Sequence, residues 1–141
     1  MKGLLIDTNV FSELRKGAHA DANVRRWFES VDENSIFLSV LVTGEIRRGI
    51  EAVRKRDPRA AMTLERWLEN VMHAHADRVL PADAATADEW GRLDARGSLP
   101  VVDGLLAATA RVHDLTLVTR NVKDFVRTGI DVLDPFAPTA Q

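Results

Sequence analysis

Asp7 closes the apolar run Leu-Leu-Ile and opens the polar triplet Asp-Thr-Asn. A carboxylate leaving a buried strand has two uses. It caps the helix that follows, as Asp, Thr and Asn all do well, or it faces a ligand beyond the strand's carboxyl end. Glu45 is the second such acid. At about 100° per residue it falls beside Val42 and Gly49, on the edge of an apolar helical stripe and away from that helix's arginines. Burying a carboxylate unpaired is expensive, so Glu45 needs either an arginine or a metal. Asp103 follows Pro-Val-Val and begins a helix that is apolar nearly all round, facing the same way as Leu106, Ala107 and Ala110. Capping explains one such residue, and the helix N-terminus stabilises its charge in any case. The fourth place is Thr-Arg-Asn-Val-Lys-Asp-Phe, residues 119–125, directly after an apolar run. There Asn121 can cap a short helix and Asp124 can face solvent, or either can join the other acids.

Together these positions say more than each does alone. Carboxylates about 4 Å apart repel by about 4 kcal/mol per pair at an effective dielectric of about 20. A hard divalent cation relieves that repulsion, and carboxylate oxygens with retained waters suit Mg²⁺, with Mn²⁺ able to substitute.

The elements that would bring them together can be read from periodicity. Gly3–Ile6, Ile36–Leu38, Val79–Leu80, Thr116–Val118 and Ile130–Leu133 are short apolar runs bounded by polar or turn residues, as buried strands are. Between them, Val24, Trp27, Phe28 and Val31 lie on one helical face, as do Val42, Ile46, Gly49, Ile50 and Val53. Leu64, Trp67, Leu68, Val71 and Met72 form a third stripe after Pro58, a residue suited to a first helical turn. Asp83–Arg96 is a weaker helix with Asp83 as its cap, and Leu105–Val112 is apolar all round and so sits between layers. Strands alternating with helices predict an α/β fold with a mainly parallel central sheet flanked by helices, in one domain over residues 1–141. Residues 135–141 read as a loose tail.

The bulk numbers narrow the function. With 141 residues, 45% of them hydrophobic, the chain can fill one real core. Cysteine is absent, which excludes a disulfide framework and a thiolate metal site. The histidines at 19, 73, 75 and 113 show no catalytic or zinc-ligand spacing. No apolar run is long enough to span a bilayer or serve as a signal peptide, so a cytoplasmic protein with no membrane contact is expected. The formal net charge of −2 excludes a bulk electrostatic grip on nucleic acid; any contact must come from local basic patches and metal ions. Arg47, Arg48, Arg54, Lys55 and Arg56 are available for that, although a charge run of this kind is more often a solvated helix face.

Four motifs in order carry a family resemblance: Leu-Ile-Asp-Thr-Asn-Val-Phe-Ser-Glu, Leu-Ser-Val-Leu-Val-Thr-Gly-Glu-Ile-Arg-Arg-Gly-Ile, Leu-Pro-Val-Val-Asp-Gly-Leu-Leu-Ala-Ala-Thr-Ala and Leu-Val-Thr-Arg-Asn-Val-Lys-Asp-Phe. Across nearly its whole length the chain resembles PIN-domain ribonucleases, and more closely the VapC-type toxins of bacterial toxin–antitoxin pairs. The resemblance implies a PIN-like fold and an endoribonuclease that depends on Mg²⁺, with Asp7, Glu45 and Asp103 as the core acids and metal ligands. Some relatives have aspartate where this chain has Asn121, so either Asn121 or Asp124 fills the fourth place. Water activated by metal would attack the phosphodiester. Thr8 and Thr119 would bind water or phosphate, or serve only as caps, and Arg120 would help position substrate or water. The resemblance also implies an RNA substrate, a homodimer and a VapB-like antitoxin whose segment covers the active-site groove. Phe11, Leu14, Trp27 and Phe28 are available to line that groove, although core packing is the commoner role for such residues. Two alternatives stand beside it. One is a non-catalytic binding module of the same fold, favoured by Asn121. The other is a phosphoryl-accepting signalling domain, which would want a second acid near Asp7 and a lysine after a late strand.

Overall fold

In the computed structural model, which describes residues 2–138, strand and helix alternate from the start of the chain. β1 (Leu4–Ile6) runs into α1 (Thr8–Leu14), and α2 (Ala22–Ser30) leads to β2 (Ile36–Ser39), which passes without a loop into α3 (Val40–Arg54). Then come α4 (Pro58–Ala74), β3 (Val79–Leu80), α5 (Ala84–Arg96) and α6 (Val101–Val112). β4 (Thr116–Val118), the single turn α7 (Val122–Phe125) and β5 (Val132–Leu133) complete the described chain.

The five strands form one parallel sheet in the order β3-β2-β1-β4-β5. From β1 the chain moves outward through β2 to β3, then crosses to the other side of β1 for β4 and β5. The reversal therefore lies between β1 and β4, which pair Leu4 with Thr116, Leu5 with Leu117 and Ile6 with Val118. In open parallel sheets the ligand crevice opens at such a reversal, beyond the carboxyl ends of the strands.

Burial on both faces explains why the central strands are unbroken apolar runs: Leu5, Ile6, Leu117 and Val118 have no exposed surface. α6 is buried from Leu106 to Ala110, and the hydroxyl of Thr109, which lies within that stretch, donates to Leu105 O at 2.8 Å. α3 buries Val42, Ile46 and Ile50, and α4 buries Ala61 and Leu68. The rings of Phe11 and Trp67 meet at 5.2 Å. Helix starts are capped as the residue types require, with Asp21, Ser39, Asp57 and Asp83 each accepting from a first-turn amide.

Several expectations change in detail. The first strand begins at Leu4, with Gly3 held in a space where an added Cβ would lie 2.7 Å from both Leu115 and Phe37. The last strand shortens to Val132–Leu133. α6 begins two residues before Asp103, so Asp103 sits in its first turn and is not its cap. Arg47 and Arg54 do more than face solvent. Arg47 pairs with Glu65, and Arg54 bonds Glu51 at 2.9 Å and Glu65 at 3.1 Å, tying α3 to α4. At the end of the chain, Pro135 is buried and Phe136 O accepts from Asn23 Nδ2 at 2.9 Å, so these two residues are not loose. Residues 139–141 of that expected tail lie outside the described residues.

α5 and α6 pack closely at Gly104, where an added Cβ would fall 2.9 Å from Cδ1 and Nε1 of Trp90. In an open helix Gly→Ala stabilises by about 1 kcal/mol, whereas overpacking costs about 1–3 kcal/mol. Gly104→Ala should therefore lower the urea midpoint, and a raised midpoint would show that the indole yields freely.

Candidate active site

Asp7 is the residue after β1, 5% exposed, and its amide extends the ladder by donating to Val118 O at 2.9 Å. Its carbonyl starts α1 by accepting from Val10 and Phe11. The side chain does two things at once. Oδ1 accepts from Thr8 N at 2.7 Å, a capping bond, and Oδ2 accepts from the Thr119 hydroxyl at 2.8 Å across the β1–β4 reversal. The Thr8 hydroxyl is not a cap; it donates to Glu45 Oε1 at 2.6 Å. Glu45 is half-buried in α3, a helix that Ser39 fixes to the end of β2 by accepting from Leu41 N at 3.0 Å. Among the described residues no arginine pairs with Glu45, so the salt-bridge alternative does not hold.

Asp103 is half-buried in the first turn of α6, and among the described residues its carboxylate has neither a hydrogen bond nor an ion pair. Burial holds its carboxyl above the usual range, and the charges of Asp7, Glu45 and Asp124 push it further in the same direction. Burial likewise raises Asp7, against the pull of its Thr119 and Thr8 bonds, with Glu45 adding to the rise and Asn9 opposing it. The charges of three carboxylates, from the exit of β1, from α3 and from α7, thus bear on Asp103 in α6. Asp124 is exposed on α7 and supplies the fourth charge. Asn121 is exposed too, and its backbone amide donates to Thr119 Oγ1 at 3.1 Å.

These residues suit a hard cation in donor type and in charge: all are oxygen donors, and among the described residues no Lys or Arg pairs with Asp7, Glu45 or Asp103 to offset their repulsion. Among the described residues, no three His, Cys, Asp or Glu side chains converge closely enough to hold one ion directly. A cation here would take few direct carboxylate bonds and keep several waters, which is the habit of Mg²⁺.

The remaining expected residues divide. Thr8 and Thr119 touch the acids, whereas the Arg120 guanidinium lies 4.5 Å over the Phe136 ring, fastened at the exit of β5. Asn9 was not singled out by sequence reasoning, yet it bonds Asp7, Thr119 and the amide of Arg120. Its signal was available, since a third capping-type residue in Asp-Thr-Asn exceeds what one helix start needs. Away from the acids, a largely apolar cavity of about 180 Å³ opens between α1, α2 and α4, lined by Phe11, Leu14, Phe28, Trp67 and Val71 among others.

With a parallel sheet and carboxylates gathered at its reversal, the chain matches the PIN domain model over residues 4–130, and it belongs to that family. Among its relatives, the VapC ribonuclease Y4jK of Sinorhizobium fredii is 31% identical over 140 residues, covering 96% of this chain and 99% of the relative. Toxin FitB of Neisseria gonorrhoeae is 28% identical over 138 residues, with 94% and 98% covered. A solved structure of FitAB bound to a DNA fragment superposes with a TM-score of 0.88 at 26% identity, covering 98% of this chain and 99% of that one.

The electrostatics give a pH dependence. A carboxyl raised above its unfolded value takes up its proton first in the folded state. Asp7 and Asp103 should therefore add stability to the metal-free protein as pH falls through their raised values towards the ordinary range near 3.8, and lose that gain as pH rises. The lowered carboxyls of Glu13, Glu51, Glu65 and Asp83 act in the opposite sense. Asp103→Asn should be at least as stable as wild type in EDTA at neutral pH and should flatten this rise. Urea midpoints across pH measure both, and a large neutral-pH loss would mean that Asp103 holds the helix start.

Proposed function

We propose that this chain is a divalent-cation-dependent endoribonuclease of the VapC type, the toxin half of a toxin–antitoxin pair acting in the cytoplasm. The observation that carries the reading is the uncompensated carboxylate cluster at the β1–β4 reversal, acting on Asp103. The relatives' names, VapC ribonuclease and toxin, support it.

In this reading Asp7, Glu45 and Asp103 hold Mg²⁺ between them, directly or through water, and Mn²⁺ substitutes. When bound, the cation lowers the pKa of a ligated water and offsets charge on the phosphodiester in the transition state. The protein's own part is positional. The Thr8 hydroxyl fixes the Glu45 carboxylate, the Thr119 hydroxyl fixes Asp7, and Asp124 stands at the exposed rim. Asp124 fills the fourth acidic place. Asn121, beside the same turn, orients solvent or backbone and not a proton, because an amide is no base. Arg120, whose guanidinium lies over the Phe136 ring, is available to an RNA phosphate flanking the site. The solved FitAB complex and the relatives named as toxins support a VapB-like partner for this chain, and this reading seats it over the apolar cavity near Phe11, Leu14 and Phe28. A homodimer belongs to the same proposal.

Two rivals lose ground. A non-catalytic module of this fold rested on Asn121, and the charge of Asp124 acting on Asp103 counts against it. A phosphoryl-accepting domain lacks its second acid, since Asn9 stands there bonded on three sides, and Arg120 takes the place of its lysine.

Incubation of a mixed RNA pool with wild type and Asp7→Asn, in Mg²⁺, Mn²⁺ or EDTA, tests the reading. Cleavage should need the metal and fall about a hundredfold or more in Asp7→Asn, the scale of several kcal/mol of lost transition-state stabilisation. Equal cutting by both proteins would point to a contaminant. Mn²⁺ should also raise the melting temperature by mass action, and bound metal without cleavage would favour the binding module.

A further inference from the structure

One side chain joins the exits of β1 and β4 without a part in the chemistry described above. Asn9, the second residue of α1, places Nδ2 at 3.3 Å from Asp7 Oδ2 and at 3.3 Å from Thr119 Oγ1, one hydrogen for each. Its Oδ1 accepts from the Arg120 amide at 3.1 Å. These neighbours dictate which way the amide points. Turned over, it would set its oxygen against the Asp7 carboxylate and its NH₂ against the Arg120 N–H. The Thr119 hydroxyl is saturated by the same network: it donates to Asp7 Oδ2 at 2.8 Å and accepts from Asn9 Nδ2 and from Asn121 N at 3.1 Å.

The consequence falls on Asp7. A carboxylate offers about four acceptor positions, roughly two on each oxygen. Oδ2 uses both of its own on Thr119 and Asn9, while Oδ1 uses one on Thr8 N at 2.7 Å. Among the described residues no other donor reaches Oδ1. We propose that Asn9 is a positioning residue: by cross-linking the exits of β1 and β4 it occupies Asp7 Oδ2 and leaves Oδ1 as the single oxygen that Asp7 presents to a hard divalent cation. The inference rests on the metal-site reading above and adds to it a denticity and the residue that sets it. Partners of this kind, behind a ligating carboxylate, typically change metal affinity by about 10–100-fold when removed. A merely structural Asn9 would instead lower the melting temperature and leave affinity for the cation unchanged.

Two measurements on the full chain test it. Metal-free wild type and Asn9→Ala are titrated with Mn²⁺ alone, following free Mn²⁺ by electron paramagnetic resonance, with metal-free melting recorded in parallel. Asn9→Ala should bind Mn²⁺ about tenfold or more weakly. A crystal structure of Mn²⁺-loaded wild type should show Asp7 bound through Oδ1 alone, with Thr119 still on Oδ2; this result stands even if Asn9→Ala does not fold. Equal Mn²⁺ affinity, or Asp7 ligating through Oδ2 or through both oxygens, overturns the inference and leaves the nuclease reading standing. Wild type that takes up no Mn²⁺ overturns both.

Discussion

The hydrogen bond from the Thr119 hydroxyl to Asp7 spans 112 residues of sequence and 2.8 Å of space, and much else is arranged to allow it. It places a carboxylate at the end of the central strand, 5% exposed, where burial disfavours its charge. Donors from two neighbouring segments offset part of that cost, since a carboxylate left without them would neutralise or force the strands apart. Because those donors come from α1 and from the exit of β4, the bond is also a statement about register. A slip of one residue between β1 and β4 would turn Asp7 or Thr119 to the opposite face.

Around this point the second and third acids are set by different means. Glu45 is placed by a strand that becomes a helix without an intervening loop, with Ser39 as the joint and the Arg47–Glu65 and Arg54–Glu65 pairs fixing α3 against α4. Exposed pairs contribute little to stability singly, but here four charges in one network join the two helices. Asp103 is placed by the burial of α6 itself. That helix has no freedom to rotate while Leu106, Ala107 and Ala110 are enclosed and Gly104 lies against Trp90.

Much of this was legible in the sequence because it is periodic. The five apolar runs and the helical stripes fix the layers, and Asp7, Glu45 and Asp103 stand out as breaks in those patterns. Short-range polar geometry was less legible. Capping, salt bridging and site-building use the same residue types, and only three-dimensional neighbours distinguish them. Thus Thr8, which looks like a cap, reaches a glutamate on α3. Asp124, which looks solvated, is solvated and still acts on Asp103. Arg120 points elsewhere because Phe136 offers a ring, a contact made by a segment that composition alone marks as loose.

The order of the sheet also bears on when this protein becomes what it is. β1 is made first, but the partner that completes its far side is β4, and β1, β2 and β3 can assemble one flank of the sheet before β4 exists. A chain growing from its N-terminus therefore carries Asp7 and Glu45 for much of its synthesis, and Asp103 briefly, without the hydroxyl and the α7 carboxylate that complete their setting. The site is closed by contacts distant in sequence, so it cannot be complete until β4 and α7 have been made, and a chain that ends before them lacks the Thr119 hydroxyl that holds Asp7.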